Sequence, residues 1–233
     1  MQMVILAGGM GTRMRPLTEG RPKAMIMVDN KPFLEYQIEL LKKHRITEIV
    51  LCVGYLADQI KDYFGDGGRF GVEIRYSEEK SQLLGMAGAL KNAEPLLAEE
   101  FLAMNGDSYL LLDYAEIMSY FKGRDELALM VVHRNHDPYR ASNVAIEGDL
   151  VTIYDRNKIV PWMRYIDAGL WALRKRALSL IPPNRAVSQE EFFHKLIERK
   201  QLLAFRVSQR FYEIGSFSGL AEFSQLIEGG ITR

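Results

Sequence analysis

Three glycines, a threonine and three cations crowd the start of the chain: Gly8-Gly9-Met10-Gly11-Thr12-Arg13, then Arg15 and Lys23. The apolar run Met3-Val4-Ile5-Leu6 leads straight into them. A strand that stops at glycines offers backbone N–H groups, and an arginine fork and a lysine point charge add cations, so the combination suits phosphate. Three loop chemistries compete. A Walker A loop ends Gly-Lys-Ser/Thr, whereas Gly11 is followed by Thr12-Arg13, so that reading fails. A dinucleotide fingerprint needs a third fixed glycine, and Met14 stands there. Asp29 lies at the distance of a ribose-binding acid, but Asp29-Asn30-Lys31-Pro32 reads as a turn. The plain alternative is a tight strand-to-helix connection without a ligand. The company of Thr12, Arg13 and Lys23 weighs against it.

Holding such a loop takes a buried strand before it and further strands beside it, and the chain supplies that pattern. Residues 33–44 place Leu34, Ile38 and Leu41 on one helical face, with Lys42 and Lys43 where the helix dipole favours cations. Residues 48–53 read as a buried strand, 57–64 as a short helix, 65–68 as a glycine-rich turn, and 72–76 as a strand. A helix over 86–97 and a strand over 101–104 follow, ending at Asn105-Gly106-Asp107. This alternation predicts an α/β fold: right-handed βαβ crossovers and a Rossmann-like, mostly parallel mixed sheet flanked by helices, with ligands at the carboxyl ends of its strands. Gly8, Gly9 and Asp107 all fall at such ends. The second half is less regular. Strands over 127–132, 144–146, 150–154, 165–173, 203–207 and 211–214 alternate with helices over 189–200 and 217–227, the last capped by Ser216. The 165–173 strand is interrupted at Asp167-Ala168-Gly169. These later strands are expected to be mixed or antiparallel, to cover one end of the first sheet, and to form the second wall of a cleft.

Composition narrows the partners. Thirty basic residues balance thirty acidic ones, so no broad field for nucleic acid or an anionic membrane exists and phosphate chemistry must rely on local cations. The single cysteine, Cys52, sits in the apolar run 49–53 and reads as a buried core thiol, which suits a reducing cytoplasm. No apolar run approaches the roughly 20 residues that span a bilayer, and the first residues lack the features of an export signal. No linker, repeat or composition break divides the chain, so residues 1–233 are read as one domain. Within it the regular first half runs to about 112 and the less regular second half over about 113–233. His133 and His136, three apart on an expected loop beside Asp137, have no metal spacing and read as solvated.

The opening motif, with Pro22-Lys23-Ala24-Met25, closely resembles that of the sugar-1-phosphate nucleotidylyltransferases. Similarity continues through Lys31-Pro32-Phe33-Leu34, Gly54-Tyr55, residues 84–89, Asn105-Gly106-Asp107, Asp167-Ala168-Gly169 and Glu213-Ile214-Gly215, essentially the whole chain. The resemblance implies the nucleotide-diphospho-sugar transferase fold, with a nucleotide-binding half over about 1–112 and a sugar-binding half over about 113–233, and one reaction. A sugar 1-phosphate oxygen attacks the α-phosphorus of a nucleoside triphosphate (NTP), giving NDP-sugar and pyrophosphate. Such a transfer depends mainly on positioning and electrostatic stabilisation.

Carried over residue by residue, the resemblance assigns Arg13, Lys23 and Asp107 to catalysis. Nucleotide binding falls to Leu6, Ala7, Gly8, Gly9, Gly11, Thr12, Arg13 and Gly85, with Glu79 or Gln82 reading the base. Met86 replaces a threonine frequent in relatives, and residues 78–82 run one residue longer than the family spacing. Gly85, Ala87 and Gly88 resemble the loop that lets base and sugar approach the backbone. The sugar side falls to Gly88, Asn143, Asp167 and Gly169, with Ser142 facing it and either Arg156 or Lys158 as the cation. Mg²⁺ is the implied cofactor, held by Asp107 and Glu213, the latter where many relatives carry aspartate. Arg15 is either a phosphate contact or a surface ion-pair partner.

Phe33-Leu34 after Pro32, and Asp66-Gly67 followed by Phe70-Gly71, look most like the D-glycero-D-manno-heptose 1-phosphate guanylyltransferase branch, implying GTP and a heptose 1-phosphate as partners. Uridylyl or cytidylyl transfer to another sugar phosphate or to phosphocholine stays open, as does a nucleotide-sugar binding protein without turnover. Tyr114, Tyr120 and Phe121 read equally as core or as the interface of a homo-oligomer.

Overall fold

The computed structural model describes residues 1–80, 82–136, 141–158 and 160–230. Gln2–Leu6 (β1) is flanked in parallel by Glu48–Val53 (β4) and Glu100–Asn105 (β6), with Glu73–Glu78 (β5) outside β4. Strands buried on both faces need apolar residues throughout, and β1 has them. Met3 and Ile5 join the core on one face and Val4 the core on the other, all fully buried. The first face is covered by Phe33–Lys43 (α1), Ala57–Phe64 (α2) and Tyr114–Lys122 (α4), the second by Gly85–Ala93 (α3) and Gln189–Glu198 (α5). Tyr114 and Phe121 are fully buried in the core, while Tyr120 packs its ring edge on Phe205.

Beyond β6 the sheet departs from expectation. Ala128–Arg134 (β8), Val144–Glu147 (β9), Leu150–Tyr154 (β10), Tyr165–Arg174 (β11) and Leu202–Val207 (β12) do not cover the end of the first sheet but extend it. The result is one nine-stranded mixed sheet in the order β5-β4-β1-β6-β11-β8-β12-β10-β9. The join is made by β11, antiparallel to both β6 and β8, whose Leu170, Trp171 and Ala172 are buried on both sides. Its register slips between Asp167 and Trp171, where Gly169 takes φ +78. That bulge takes residues 168–170, between Asp167 and Trp171, out of the ladder with β8. His133 lies on β8, not on a loop, with its ring edge toward Phe211; His136 is exposed, and Asp137 lies outside the described residues.

Two small sheets complete the site. Met27–Val28 (β2) and Lys31–Pro32 (β3) form a hairpin whose corner residues Asp29 and Asn30 both have positive φ, so Asp29 serves the turn. Ser108–Leu110 (β7) pairs antiparallel with Phe211–Glu213 (β13), which leads into Phe217–Glu228 (α6). No described helix is long and apolar enough to cross a membrane.

Candidate active site

The loop after β1 is stitched to its neighbours before it turns. Gly106 N–H donates to Leu6 C=O at 3.0 Å, Ala7 N–H donates to Cys52 C=O at 2.8 Å, and Tyr55 N–H donates to Gly8 C=O at 3.0 Å. Gly8 has no room for a side chain: a Cβ there would lie 2.7 Å from Glu79 Oε1. Gly11 adopts φ +62 and its carbonyl accepts from Met14 N–H and the buried Thr18 hydroxyl. Met14, the residue that breaks the dinucleotide fingerprint, is fully buried in a third cluster with Phe33, Tyr109, Ile214 and Phe223. It anchors the loop to α1 and α6. Among the described residues, the backbone N–H groups of residues 9–13 donate to nothing, and Gly9 faces open space. A run of free amides in a glycine turn is an anion cradle.

Cations and carboxylates converge beside it. Lys23, on a single 3₁₀ turn, places Nζ in an ion pair with Asp107 Oδ2. The β7–β13 pairing sets Glu213 opposite Ser108, and Ile214 N–H donates to Asp107 C=O, so the two carboxylates are brought together by backbone registry. A Cβ on Gly215 would lie 2.5 Å from Glu213 Oε2, 3.3 Å from Asp107 Oδ2 and 3.5 Å from Arg13 Nη2, which shows how closely the three approach one point. Glu213 also accepts from Gly215 N–H at 2.5 Å and from the Ser216 hydroxyl at 2.8 Å. Ser216 in turn caps α6 through Gly219 N–H, as expected of an N-cap serine. Thr12 and Arg15 are exposed, and Arg15 forms no ion pair with a described residue.

Three cavities run side by side through this point, and Asn105 borders all of them. The central one is the phosphate cradle, bordered by Leu6, Ala7, Gly9, Gly11, Arg13, Lys23 and Asp107. At one end lies an apolar cavity of Leu6, Cys52, Leu83, Met86 and Ala89 in which Glu79 is the charged group. Gly85 borders it at φ +69. Burial raises the Glu79 carboxyl above its ordinary range, opposed by Leu84 N–H, which donates to its Oε2 at 2.5 Å. Cys52 is buried here, and desolvation raises its thiol strongly. Gln82 is exposed and outside this cavity; Ser81 lies outside the described residues.

The opposite cavity is polar, with Arg13, Asp107, Asn143, Arg156, Asp167 and Gly169 at its walls. Of the two candidate cations it takes Arg156. Lys158 is exposed, and the Asp155 carboxylate accepts the Asn157 and Lys158 N–H groups in a tight turn. Gly88 does not border the sugar cavity: its missing Cβ makes room for Arg185 O and Leu84 Cβ, each 2.8 Å away, within the packing of α3. Asp167 is enclosed by four donors. Gly169 N–H and Trp171 Nε1–H donate to Oδ1 at 2.9 and 3.1 Å, Gln189 Nε2–H and Tyr154 O–H to Oδ2 at 2.5 and 3.3 Å. Burial nonetheless pushes its carboxyl up to about 6, against Gly169 N–H and the Arg156 charge. A carboxylate has about four acceptor sites, so Asp167 is already saturated and organises the cavity wall. Its N–H donates to Asn143 Oδ1 at 3.0 Å, which aims the Asn143 amide. Asn105, Tyr154, Trp171 and Gln189 were not singled out as site residues. Only Asn105 carried a sequence signal, its place one step before Gly106-Asp107.

Comparison with known proteins identifies the family. Residues 2–229 match the model of the nucleotidyl transferase family. The chain is 32% identical over 216 residues to the D-glycero-alpha-D-manno-heptose 1-phosphate guanylyltransferase of Campylobacter jejuni, covering 92% of this chain and 95% of that one. It is 31% identical over 225 residues to the mannose-1-phosphate guanyltransferase of Candida albicans, covering 92% of this chain but only 61% of that protein's length. The crystal structure of HddC from Yersinia pseudotuberculosis complexed with GMP-PN superposes with a TM-score of 0.82 at 26% identity, covering 97% of this chain and 99% of that one. The chain therefore belongs to the nucleotidyl transferase family.

Proposed function

We propose that the protein transfers a nucleotidyl group from an NTP to a sugar 1-phosphate, with GTP the preferred nucleotide and a heptose 1-phosphate the preferred acceptor. The observation that carries this reading is the order of the three cavities: apolar with one acid, then cationic with free amides, then polar. A base, a triphosphate and a sugar phosphate present the complementary surfaces in the same order.

The preference for guanine rests on Glu79. Guanine presents two adjacent N–H donors on its pairing edge, which a carboxylate accepts together, whereas uracil presents one N–H between two carbonyls that a carboxylate repels. In an apolar cavity an unmatched charge is costly, so the discrimination is steep. The heptose preference rests on the named Campylobacter relative, which this chain matches over nearly its whole length.

In the proposed reaction the free amides of residues 9–13 and Arg13 hold the triphosphate. Arg156 and the Asn143 amide orient the sugar phosphate, whose oxygen attacks the α-phosphorus in line with the departing pyrophosphate. Lys23, released from Asp107, offers its charge to the reacting phosphates, where negative charge spreads in the transition state. Asp107 and Glu213 suit Mg²⁺. They form an all-oxygen pair converging on one point, and Mg²⁺ needs only one or two carboxylates alongside water and phosphate. When bound, Mg²⁺ would neutralise phosphate charge. Pyrophosphate release, measured with each of four NTPs against a panel of hexose and heptose 1-phosphates, tests the proposal. Release is expected to be fastest with GTP, and no release with any pair would end it.

A further inference from the structure

The apolar and polar end cavities are built from different strands, yet one run of hydrogen bonds joins them. It begins at Glu79, whose Oε2 accepts from Leu84 N–H. Leu84 C=O accepts from Val187 N–H at 2.8 Å, and Val187 C=O accepts from Ala87 and Gly88 N–H at 3.1 and 3.3 Å. Three bonds thus fasten the first turn of α3 to residue 187. The packing there is close: a Cβ on Gly85 would lie 2.7 Å from Val187 O, and one on Gly88 2.8 Å from Arg185 O. Ser188 is fixed as the N-cap of α5, accepting from Glu191 N–H. The next residue, Gln189, is buried and sends Nε2–H across to Asp167 Oδ2 at 2.5 Å. Asp167 then holds Asn143 and the Gly169 turn.

We infer that Gln189 is a positioning residue that locks the sugar-side wall to the base-reading loop, so that Glu79 with residues 83–88 and residues 143 and 167–169 are placed as one unit. This rests on the functional reading above. Gln189 borders neither cavity, and its amide meets a carboxylate on another element, so its influence on substrate passes through Asp167. A base that presses on Leu83 and Gly85 displaces Val187, which is bonded through both its N–H and its C=O. Gln189 carries that displacement to Asp167. The chain holds its own reporter. Trp171 Nε1–H donates to the same carboxylate, and the only other tryptophan, Trp162, is exposed.

The test uses the full chain carrying Trp162→Phe, so that Trp171 alone emits. GTP is titrated without sugar phosphate while emission is followed, and affinity is measured separately by calorimetry. With Gln189 present, emission is expected to change in step with GTP binding. In Gln189→Met, GTP affinity should hold within about twofold while the emission response disappears. In turnover, the KM for the sugar 1-phosphate should rise about tenfold, as for loss of one hydrogen bond to a charged group, with kcat and the KM for GTP little changed. Should Gln189→Met not fold, Gln189→Asn, which keeps the amide but is one methylene short, carries the same expectation. A silent Trp171 on GTP binding, a response that survives the substitution, or equal rises in both KM values would overturn the inference. If none of the four NTPs binds the unsubstituted protein, the functional reading fails at that step, and the inference with it.

Discussion

Replacing Asp167 with asparagine isolates the most strongly perturbed acid of the site. Its carboxyl is pushed up to about 6 by burial, whereas an unfolded aspartate titrates near 3.9. The folded state therefore binds the proton more tightly than the unfolded one. The resulting stabilisation is fully present below about pH 4 and is lost as pH rises toward 6. The gap of about two pH units corresponds to roughly 3 kcal/mol, of which about 1 kcal/mol falls between pH 5 and pH 7.5. Asparagine removes the titration and keeps the geometry: its Oδ1 can accept from Gly169 and Trp171, and its amide can donate to a flipped Gln189 and to Tyr154. Urea unfolding of both proteins across pH 5–7.5 measures the difference directly, because the other carboxylates cancel in the comparison. The stability of Asp167→Asn relative to the parent should climb by about 1 kcal/mol over that range. Parallel pH profiles would refute the argument that burial, and not the four donors, sets the ionisation of Asp167.

Three further substitutions probe the remaining parts. Glu79→Gln exchanges a carboxylate for an amide that opposes one of guanine's donors and no longer repels uracil's carbonyls; kcat/KM with GTP should fall about 10- to 100-fold while that with UTP rises, read by pyrophosphate release. Lys23→Gln removes the cation paired with Asp107 and should lower kcat on the order of 100-fold or more, with nucleotide affinity from calorimetry much less affected. Gly219→Ala would set a Cβ against the main-chain oxygen of Glu213 and 2.6 Å from its Oε1. Because main chain cannot swing aside, thermal unfolding should show a loss of roughly 1–3 kcal/mol.

What was legible in the sequence was local. The β1-loop unit could be read because apolar strand, glycines and cations are contiguous, and the helices α1, α2 and α5 because their apolar faces repeat every three to four residues. Met14 marked the loop as something other than a dinucleotide fingerprint. Its reason, a seat among Phe33, Tyr109 and Phe223, is a property of packing between segments far apart along the chain. The same limit explains Gly88. A small residue allows close approach, but whether substrate or chain approaches is decided by residues 185–187, far off in sequence. In the 155–158 turn, Asp155 accepts two successive N–H groups; Arg156 and Lys158 are both exposed, but only Arg156 borders the polar cavity, a difference that residue type does not carry. Glu79 and Gln82 could not be separated by residue type, since burial beneath Gly8 and the bond from Leu84 single out Glu79. Mixed and antiparallel strands were legible beyond β6, but not that they extend the first sheet, because antiparallel pairing of β11 with β6 leaves no periodicity distinct from that of a strand in a second wall.

The central claim, attack of a sugar phosphate oxygen on the α-phosphorus of the nucleotide, is tested most directly by isotope tracing. Sugar 1-phosphate carrying 18O in its phosphate oxygens is turned over with unlabelled GTP, and the products are weighed by mass spectrometry. The account predicts that the full label is retained in the NDP-sugar and that the pyrophosphate carries none. Label in pyrophosphate, or release of GMP with no nucleotide sugar formed, would contradict it.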